Sequence, residues 1–426
     1  MTTHPKDLLL SLFSAAIGAA YPSAEKMPLP EPVAGKTLVI GAGKAAASMA
    51  AVVEENWTGG ALEGVVVTRY AHGLELEAIN VIEAGHPVPD EAGERAAKEI
   101  YEQVAALGED DQVIVLISGG GSSLLSYPAD GVSLESKKAV NKALLKSGAD
   151  ILEMNTVRKK LSAIKGGRLA VAAYPAKIVT YMISDVPGDD PSIIASGPTV
   201  PDLTTVQEAL DILDKYNIEI PDDVERHFNT DAAIPPAADH PAFEACQNFM
   251  LATPQDALQA AGSLAVTYEI EPVILGDRIE GEAKDVARVM AAITRQIIDH
   301  DQPAFKPCVL ISGGETTVTV GSHGGAVGRG GRNAEFLWGF ADALGPCNSV
   351  FALAVDTDGI DGTEDNAGAI LGPDTWARAE EKGLSLPDYL KRHDAYNFFK
   401  ELEDLIVTGP TRTNVNDFRA ILILPD

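Results

Sequence analysis

Lys44 is the residue of this sequence whose position most directly indicates chemistry. It follows Gly41 and Gly43 in the stretch TLVIGAGKAAASMA, where a buried strand gives way to a glycine turn and an alanine-rich helix. Such a turn presents unpaired backbone N–H groups and the positive end of a helix dipole to an anion. A cation at that helix end opposes the dipole, so Lys44 indicates an anion held between them. A solvated lysine on a tight turn is the alternative interpretation.

Neither of the common nucleotide-binding motifs fits this turn well. Gly41, Gly43 and Ala46 match the loose G-x-G-x-x-A dinucleotide fingerprint, but the next strand, GVVVTRY, ends in Arg69 where an acidic residue would hold the ribose. An NADP enzyme would use that arginine, so this reading stays open. The Walker loop requires a different spacing between its glycines and lysine. The turn alone leaves hydride transfer and phosphoryl transfer both open.

Two further glycine turns follow predicted strands. The first is SGGGSS, whose candidate phosphate-binding residues are Ser118, Gly119, Gly120, Gly121 and Ser122. Flexible glycines and hydroxyl donors suit a phosphate nest, whereas a closely packed strand exit would use the same residues. The second turn, LISGGETT, resembles the first and places Gly313 and Gly314 as candidate nucleotide contacts.

Carboxylates follow the predicted strand KIVTYMIS and indicate a magnesium site. Asp185 and Asp189 are the candidate ligands, with Asp190 beside them. Mg²⁺ takes one or two carboxylates together with substrate oxygens, although a Pro-Gly turn would use similar residues. The acidic stretch DTDGIDGTEDNAG fails the calcium-loop pattern because Ile360 occupies its fifth position. Its acids remain candidates for Mg²⁺ or a ligand hydroxyl, with a solvated turn as the alternative.

A basic loop, GRGGRNAE, places Arg329 and Arg332 before a predicted helix. Arginine side chains bind carboxylate or phosphate in a bidentate manner, and a glycine-rich loop lets them close over a transferred group. Asn333 is predicted to cap the helix. His72 and His86 lack the spacing of a catalytic triad or a metal site, so structural roles are expected, and His86 is the better candidate to touch a substrate.

The elements that must position these residues alternate between short apolar strands and amphipathic helices, which is the pattern of a parallel α/β sheet. A chain of 426 residues exceeds the roughly 250–300 residues at which one hydrophobic core stops growing. The proline-rich stretch from Asn229 to Phe243 is the predicted linker. We therefore predict two domains, residues 1–235 and 236–426.

The amino-acid composition limits the classes of molecule that this protein is expected to bind. The chain has 62 acidic and 33 basic residues, a formal net charge of −29, and this field opposes binding to nucleic acid or to an anionic membrane. Three scattered cysteines indicate a reduced, cytoplasmic protein. The apolar stretch from Leu8 to Ala20 is predicted to form a packed first helix, because Asp7 offsets the charge that a signal peptide needs.

Taken together, eight ordered motifs along the chain resemble the glycerate 2-kinase family, whose C-terminal part is the MOFRL domain and some of whose members are named hydroxypyruvate reductase. They are GAGKAAASMA, GHPVPDEAG, ISGGGSSLL, MNTVRKKLSAIKGGRLA, SDVPGDDPSIIASGPT, ISGGETTVTV, GRGGRNAEF and DTDGIDGTEDNAGA. The resemblance runs from about Leu8 to Leu424. One departure is Ala334, where the family pattern leads us to expect glutamine.

The resemblance implies a Rossmann-like, three-layer N-terminal domain and a second α/β domain of MOFRL type, with the active site in the cleft between them. It also implies transfer of the γ-phosphoryl group of ATP to the 2-hydroxyl of D-glycerate, with Mg²⁺, to give 2-phosphoglycerate and ADP. The family's essential lysine corresponds to Lys44 and its essential arginine to the basic loop, with Arg332 as first choice and Arg329 as second.

These expectations agree with the residue chemistry, because phosphoryl transfer needs mainly positioning and charge neutralisation. Asp189 or Asp185 is expected to hold Mg²⁺ or to orient the glycerate hydroxyl, and the turn from Ser118 to Ser122 to bind ATP phosphates or the substrate carboxylate. An NAD(P)H-dependent hydroxypyruvate reductase, a nucleotide sensor and phosphorylation of the 3-hydroxyl remain as alternatives. We expect a monomer or a homodimer.

Overall fold

The computed structural model describes residues 4–319 and 328–425. It divides into a first unit, Pro22–Leu251, and a second unit, Met1–Tyr21 with Ala252–Asp426. This division differs from the predicted one at both ends. The boundary lies sixteen residues beyond the predicted residue 235 (251 against 235), and the first helix, α1 (Pro5–Ala20), belongs with the second unit. The predicted linker lies inside the first unit.

The first unit is built on a six-stranded sheet in the order β3-β2-β1-β4-β5-β6. Strands β1 to β5 run parallel, and the order is that of the dinucleotide-binding fold. Val and Ile residues fill β1 and β4, which are buried along their whole length. The strands are β1 (Thr37–Ala42), β2 (Leu62–Arg69), β3 (Ile79–Ala84), β4 (Gln112–Ile117), β5 (Lys177–Ile183) and β6 (Cys246–Ala252).

Helices cover this sheet and add a second core that the sequence analysis did not predict. Asp90 caps α3, since its side chain accepts the N–H of Gly93. The added core is formed by residues of α5, α6, α8 and α9. The helices are α2 (Ala46–Asn56), α3 (Glu91–Ala105), α4 (Gly121–Leu124), α5 (Leu134–Ser147), α6 (Ile151–Lys160), α7 (Arg168–Ala173), α8 (Val206–Lys215), α9 (Asp222–Phe228) and α10 (Pro241–Glu244), with short 3₁₀ turns at Ile194–Ser196 and Asp231–Ala233.

The second unit has a mixed six-stranded sheet in the order β13-β12-β11-β14-β9-β7. Within this six-stranded sheet, the pairing of β7 with β9 is the only parallel one among the described residues. The strands are β7 (Glu271–Gly276), β8 (Gly281–Glu282), β9 (Cys308–Ser312), β10 (Thr316–Thr317), β11 (Val350–Asp356), β12 (Gly368–Leu371), β13 (Leu405–Ile406) and β14 (Asp417–Ile423); β8 pairs with β10. The helices are α11 (Pro254–Thr267), α12 (Ala283–His300), α13 (Arg332–Leu344), α14 (Thr375–Glu381), α15 (Leu386–Lys391) and α16 (Ala395–Glu401).

Packing explains why α1 joins the second unit. Its apolar face contacts α11, β11 and β14, and the rings of Phe13 and Phe418 stack with their centroids 6.0 Å apart. The buried leucines Leu8, Leu9 and Leu12 confirm the predicted helical stripe. The α/β class and the Rossmann-like first sheet are likewise confirmed. In the described part of the chain, no helix combines the length and the apolar character needed to cross a membrane.

Candidate functional site

The carboxyl ends of β1 and β4 lie side by side and carry two of the glycine turns. Ala42 of β1 is in register with Ile117 of β4. Just beyond the strands, the N–H of Ser118 donates to the carbonyl of Ala42 at 3.1 Å, and the N–H of Lys44 donates to the carbonyl of Gly119 at 2.9 Å. The two turns therefore form one surface at the sheet edge where ligands of α/β proteins bind.

Close packing at the ends of β1 and β4 accounts for Gly41 and for Gly43, which follows β1. Gly43 has a φ of +137°, and a Cβ there would lie 2.1 Å from the Oγ of Ser118. A Cβ on Gly41 would lie 2.3 Å from the carbonyl oxygen of Leu116. The packing of the two turns thus requires both glycines, whether or not a ligand is bound.

Lys44 lies just before α2 and is mostly buried, with 8% of its surface exposed. The N–H of Ala45 donates to the Oγ of Ser118 at 2.9 Å. The first turn of α2 contains no acidic residue, and its N-cap residue makes no side-chain hydrogen bond. No carboxylate in the first turn of α2 therefore neutralises the positive end of the helix dipole, which is the setting in which an anion beside Lys44 is stabilised.

The turn after β4 keeps backbone donors available. In the described residues, the N–H groups of Gly119 and Gly120 donate no hydrogen bond, as a phosphate nest requires. A Cβ on Gly120 would lie 2.8 Å from the Nε2 of His86, so the His86 ring lies against this turn. The Oγ atoms of Ser122 and Ser196 are 2.8 Å apart. His72 is fully buried, and its Nδ1 lies 3.2 Å from the carbonyl oxygen of Tyr70.

Asp185 and Asp189 lie in the loop that follows β5. Asp189 has a φ of +57°, and its Oδ1 is buried with no hydrogen-bond partner in the described part of the chain. Such an oxygen is costly unless a cation or a ligand meets it. Asp189 therefore fits a Mg²⁺ ligand. Residues 4–319 and 328–425 contain no group of three or more His, Cys, Asp or Glu side chains placed to hold a metal.

In the second unit, Arg332 begins α13 and three carboxylates hold its guanidinium. Its Nε donates to Asp417 at 2.7 Å, and its two Nη atoms donate to Glu315 at 2.8 Å and to Asp356 at 2.9 Å. Burial opposes the charge, but these carboxylates raise the pKa of Arg332 well above its usual value. Asp417 also accepts a hydrogen bond from Arg419. The candidate arginine is thus held in one orientation.

The prediction that Asn333 caps this helix is wrong. The N-cap residue is Gly331, two residues before Asn333, and Asp361 accepts the N–H groups of Asn333 at 3.0 Å and of Ala334 at 2.9 Å. The Asn333 side chain instead donates to Asp417 at 2.8 Å. Burial raises the pKa of Asp361 to about 6, against the lowering effect of these two N–H groups. The cap comes from a residue distant in sequence, which no local pattern indicates.

The acidic stretch DTDGIDGTEDNAG is neither a calcium loop nor a solvated turn. Its Asp356 and Asp361 are buried against α13 as described, and its Glu364 pairs with Arg329. The Arg329 guanidinium also lies over the ring of Tyr396, 4.4 Å from the centroid. These acids therefore position the start of α13 and the two candidate arginines.

Gly313 and Gly314 also contribute to this network. Gly314 has a φ of +106°, and a Cβ there would lie 2.2 Å from the carbonyl oxygen of Ile279. Its own carbonyl accepts the N–H of Asp417 at 3.1 Å, and the carbonyl of Gly313 accepts a hydrogen bond from Arg419 at 2.9 Å. In the structure this turn holds the partners of Arg332.

The first unit contains a basic cavity that was not predicted from the sequence. Lys137, Arg158 and Lys165 line it, next to Ser122. Two of the three belong to the basic segment RKKLSAIKGGR, which contributed to the family resemblance but was given no role. A basic segment in so acidic a chain was the available signal.

The fold and these residues define a two-unit α/β protein whose charged side chains and glycine turns lie at strand ends. Two family models match the chain: one described as a domain of unknown function, DUF4147, over residues 8–229, and one described as the MOFRL family over residues 308–417. The chain is 39% identical to the D-glycerate 2-kinase of Thermotoga maritima, over 98% of each chain.

Two further comparisons agree. A crystal structure of glycerate kinase from Thermotoga maritima superimposes with a TM-score of 0.84 at 37% identity, covering 98% of this chain and 99% of that one. A relative from Agrobacterium vitis with the provisional name hydroxypyruvate reductase is 50% identical over 98% of this chain and 94% of its own. This chain belongs to the glycerate 2-kinase family with a C-terminal MOFRL domain, as its motifs indicated.

Proposed function

We propose that this protein is a D-glycerate 2-kinase, which transfers the γ-phosphoryl group of ATP to the 2-hydroxyl of D-glycerate. The products are 2-phosphoglycerate and ADP. The observation that carries this proposal is the similarity to the D-glycerate 2-kinase of Thermotoga maritima over 98% of both chains. Glycerate kinase relatives and a glycerate kinase structure make the kinase class the one that this chain shares.

The transferred phosphoryl group spreads negative charge over its oxygens, and fixed cations and N–H groups stabilise that charge. Lys44, at the positive end of α2, supplies one cation. Arg332 supplies another, because its three carboxylate bonds leave further N–H groups of the guanidinium for a ligand. The N–H groups of Gly119 and Gly120 supply donors for phosphate or carboxylate oxygens.

Asp189 is our choice for the Mg²⁺ ligand, with Asp185 in the same loop as its partner. The support is the buried Oδ1 of Asp189 that lacks a hydrogen-bond donor in the described residues. Bound Mg²⁺ would neutralise charge on the phosphate oxygens of ATP. Asp185 would otherwise orient the glycerate hydroxyl for attack.

Replacing Lys44 tests the proposal most directly. We expect Lys44→Ala to lower kcat about 100- to 1,000-fold, the usual cost of removing one group that stabilises transition-state charge. Lys98→Ala is the matched control, since Lys98 lies on the exposed face of α3 with 57% of its side chain exposed. Circular dichroism would verify folding of both variants. Near-normal kinase activity of folded Lys44→Ala would refute the assigned role.

Replacing Asp189 tests the metal assignment. Asp189→Asn keeps the shape of the side chain but removes the charge that a hard cation prefers. We expect the Mg²⁺ concentration for half-maximal activity to rise at least about tenfold. Asp190→Asn serves as control, because the Asp190 side chain accepts the N–H of Ser192 at 2.8 Å within its own turn. Equal Mg²⁺ requirements of the two variants would contradict the assignment.

A second candidate, NAD(P)H-dependent reduction of hydroxypyruvate, is favoured by the dinucleotide-type strand order of the first sheet. One preparation assayed with NADPH and hydroxypyruvate without ATP, and with ATP and D-glycerate, separates the two. We expect only the second reaction to proceed. NMR of its product distinguishes 2-phosphoglycerate from the 3-phosphoglycerate that attack by the other hydroxyl would give.

A further inference from the structure

The first unit contains a cavity of about 220 Å³ between α5, α6 and the turn after β4. One part of its wall is apolar and includes Val140, Leu144 and Val157. The rest is polar and includes Ser122 and Ser123 of the glycine turn. The cavity therefore adjoins the turn in which Gly119 and Gly120 keep their N–H groups available.

Four cationic side chains line this cavity. One of them, Lys138, pairs with Glu135 at 3.1 Å, and the other three are Lys137, Arg158 and Lys165. Lys165 is 1% exposed, and its Nζ donates to the carbonyls of Ser122 at 2.7 Å and of Leu125 at 3.0 Å. Lys137 is 9% exposed, and its Nζ makes one long contact, 3.5 Å, with the carbonyl of Tyr127. The Nε of Arg158 donates to the Oδ1 of Asn141 at 2.6 Å. All of these partners are neutral.

No described carboxylate lies within the 4.0 Å of an ion pair from any of the three. The neighbouring Lys159 and Lys160 show that the chain does pair buried lysines, since both contact the buried carboxylate of Asp202. Acidic residues outnumber basic ones by 62 to 33. The lack of acidic partners for Lys137, Arg158 and Lys165 is therefore a local feature and not a shortage of acids in the chain.

Buried cations without a charged partner destabilise the ligand-free protein. The pKa of Lys137 is lowered to about 7, mainly by burial; Glu94 raises it and Arg158 lowers it by smaller amounts. Burial, together with Lys137 and Arg158, lowers the pKa of Lys165 well below its usual value. An anionic ligand in the cavity would relieve both the burial and the mutual repulsion of these groups.

We infer that this cavity is an oxyanion-binding pocket for one of the kinase substrates, with Lys137, Arg158 and Lys165 as its binding residues. The inference rests on the proposed function, because it takes the oxyanion from that reaction. The shared chemistry is a carboxylate, as in D-glycerate, or a phosphate, as in ATP. The volume of about 220 Å³ is below the roughly 300–1,000 Å³ of pockets for larger ligands, which favours the three-carbon acid.

The test is a binding titration of the intact protein by calorimetry. Lys137→Met keeps the unbranched stem and removes the cation, and Arg158→Leu is the second variant. Lys142→Met is the matched control, since Lys142 is exposed on the same helix and does not line the cavity. Each protein is titrated with D-glycerate and, separately, with a non-hydrolysable ATP analogue.

We expect the dissociation constant for D-glycerate to rise roughly 10- to 100-fold in Lys137→Met and Arg158→Leu, as for loss of a hydrogen bond to a charged group. Lys142→Met should match the wild type. If instead only the dissociation constant for the ATP analogue rose, the cavity would still be an oxyanion-binding pocket and its ligand would be a phosphate. Unchanged affinities for both ligands in the two folded variants would overturn the inference.

A thermal-shift measurement without substrate distinguishes binding from a structural role. Lys137→Met should raise the melting temperature of the ligand-free protein, whereas a lysine needed for packing would lower it. Inorganic phosphate should stabilise the wild type more than Lys137→Met. This result would stand even if no phosphorylated glycerate formed in the kinase assay, so failure of the proposed function and failure of the pocket are separable.

Discussion

Basic side chains are buried in both units, but their surroundings differ. Arg332 of the second unit contacts three carboxylates, those of Asp417, Asp356 and Glu315. Among the described residues, the hydrogen-bond partners of Lys137, Arg158 and Lys165 of the first unit are all neutral. The charge of Arg332 is thus compensated by carboxylates of the protein, whereas Lys137, Arg158 and Lys165 have no such carboxylate among the described residues.

This difference separates two uses of a buried charge. A paired guanidinium is kept in one orientation, and removing it takes one compensating cation from the buried carboxylates of Asp417 and Asp356. The charge of an unpaired ammonium is compensated only when an anionic ligand binds. Removing that ammonium should therefore weaken ligand binding and stabilise the ligand-free folded protein. The two regions are therefore expected to respond in opposite directions when their cations are removed.

The largest change in the free energy of unfolding is expected when Arg332 is replaced. Arg332→Met leaves Asp417, which is fully buried, without its Nε–H donor, and we expect a loss of about 3–5 kcal/mol in the free energy of unfolding, as for a broken buried ion pair. Urea denaturation measures it. Arg329→Met should cost much less, because 54% of the Arg329 side chain is exposed. Equal losses in both variants would show that the carboxylate cluster does not depend on Arg332.

An intermediate effect is expected at Asp361, which caps α13. Asp361→Ala removes the acceptor of two backbone N–H groups, and we expect a loss of about 1–2 kcal/mol, as for other N-cap residues. Asp361→Asn should lose less, since its amide oxygen can still accept one of these bonds. Urea denaturation of the pair checks the order. A more stable Asp361→Ala would contradict the capping role.

The smallest change in the free energy of unfolding is expected when Lys137 is replaced, and this change should stabilise the protein. Its pKa in the folded protein is about 7, whereas the unfolded lysine titrates near 10.4. The folded protein is therefore destabilised as the pH falls from about 10.4 to about 7, because the unfolded lysine gains its proton first. Lys137→Met should therefore be more stable than the wild type by at least about 1 kcal/mol near pH 6, and the difference should shrink near pH 10. A pH-independent difference would contradict burial of the charge.

Much of the fold could be predicted from local patterns. Runs of Val and Ile marked β1, β2, β4 and β5, and the apolar stripe of α1 marked the first helix. The position of α1 could not be predicted, because it depends on contacts with β11 and β14, which lie more than three hundred residues further along the chain. The core of α5, α6, α8 and α9 was missed for a similar reason, since these helices bury apolar faces against one another.

The site was predicted in part. Lys44 and the turn from Ser118 to Ser122 share one sheet edge, as their positions after parallel strands indicated. The cap of α13 was assigned to Asn333 instead of Asp361 because capping rules consider only nearby residues. The Mg²⁺ role of Asp189 and the phosphate roles of the glycine turns remain predictions.

The sequence by itself determined the family, the alternation of strands and helices, and the identity of Lys44 and Arg332 as candidates, because motifs and hydrophobic periodicity are local properties of the chain. Only the tertiary structure decided which charges are paired. Asp417 meets Arg332 across 85 positions, and no acid of the described chain forms an ion pair with Lys137 or Lys165. Charge compensation depends on distances of a few ångströms in three dimensions, so it is settled only when distant segments pack together.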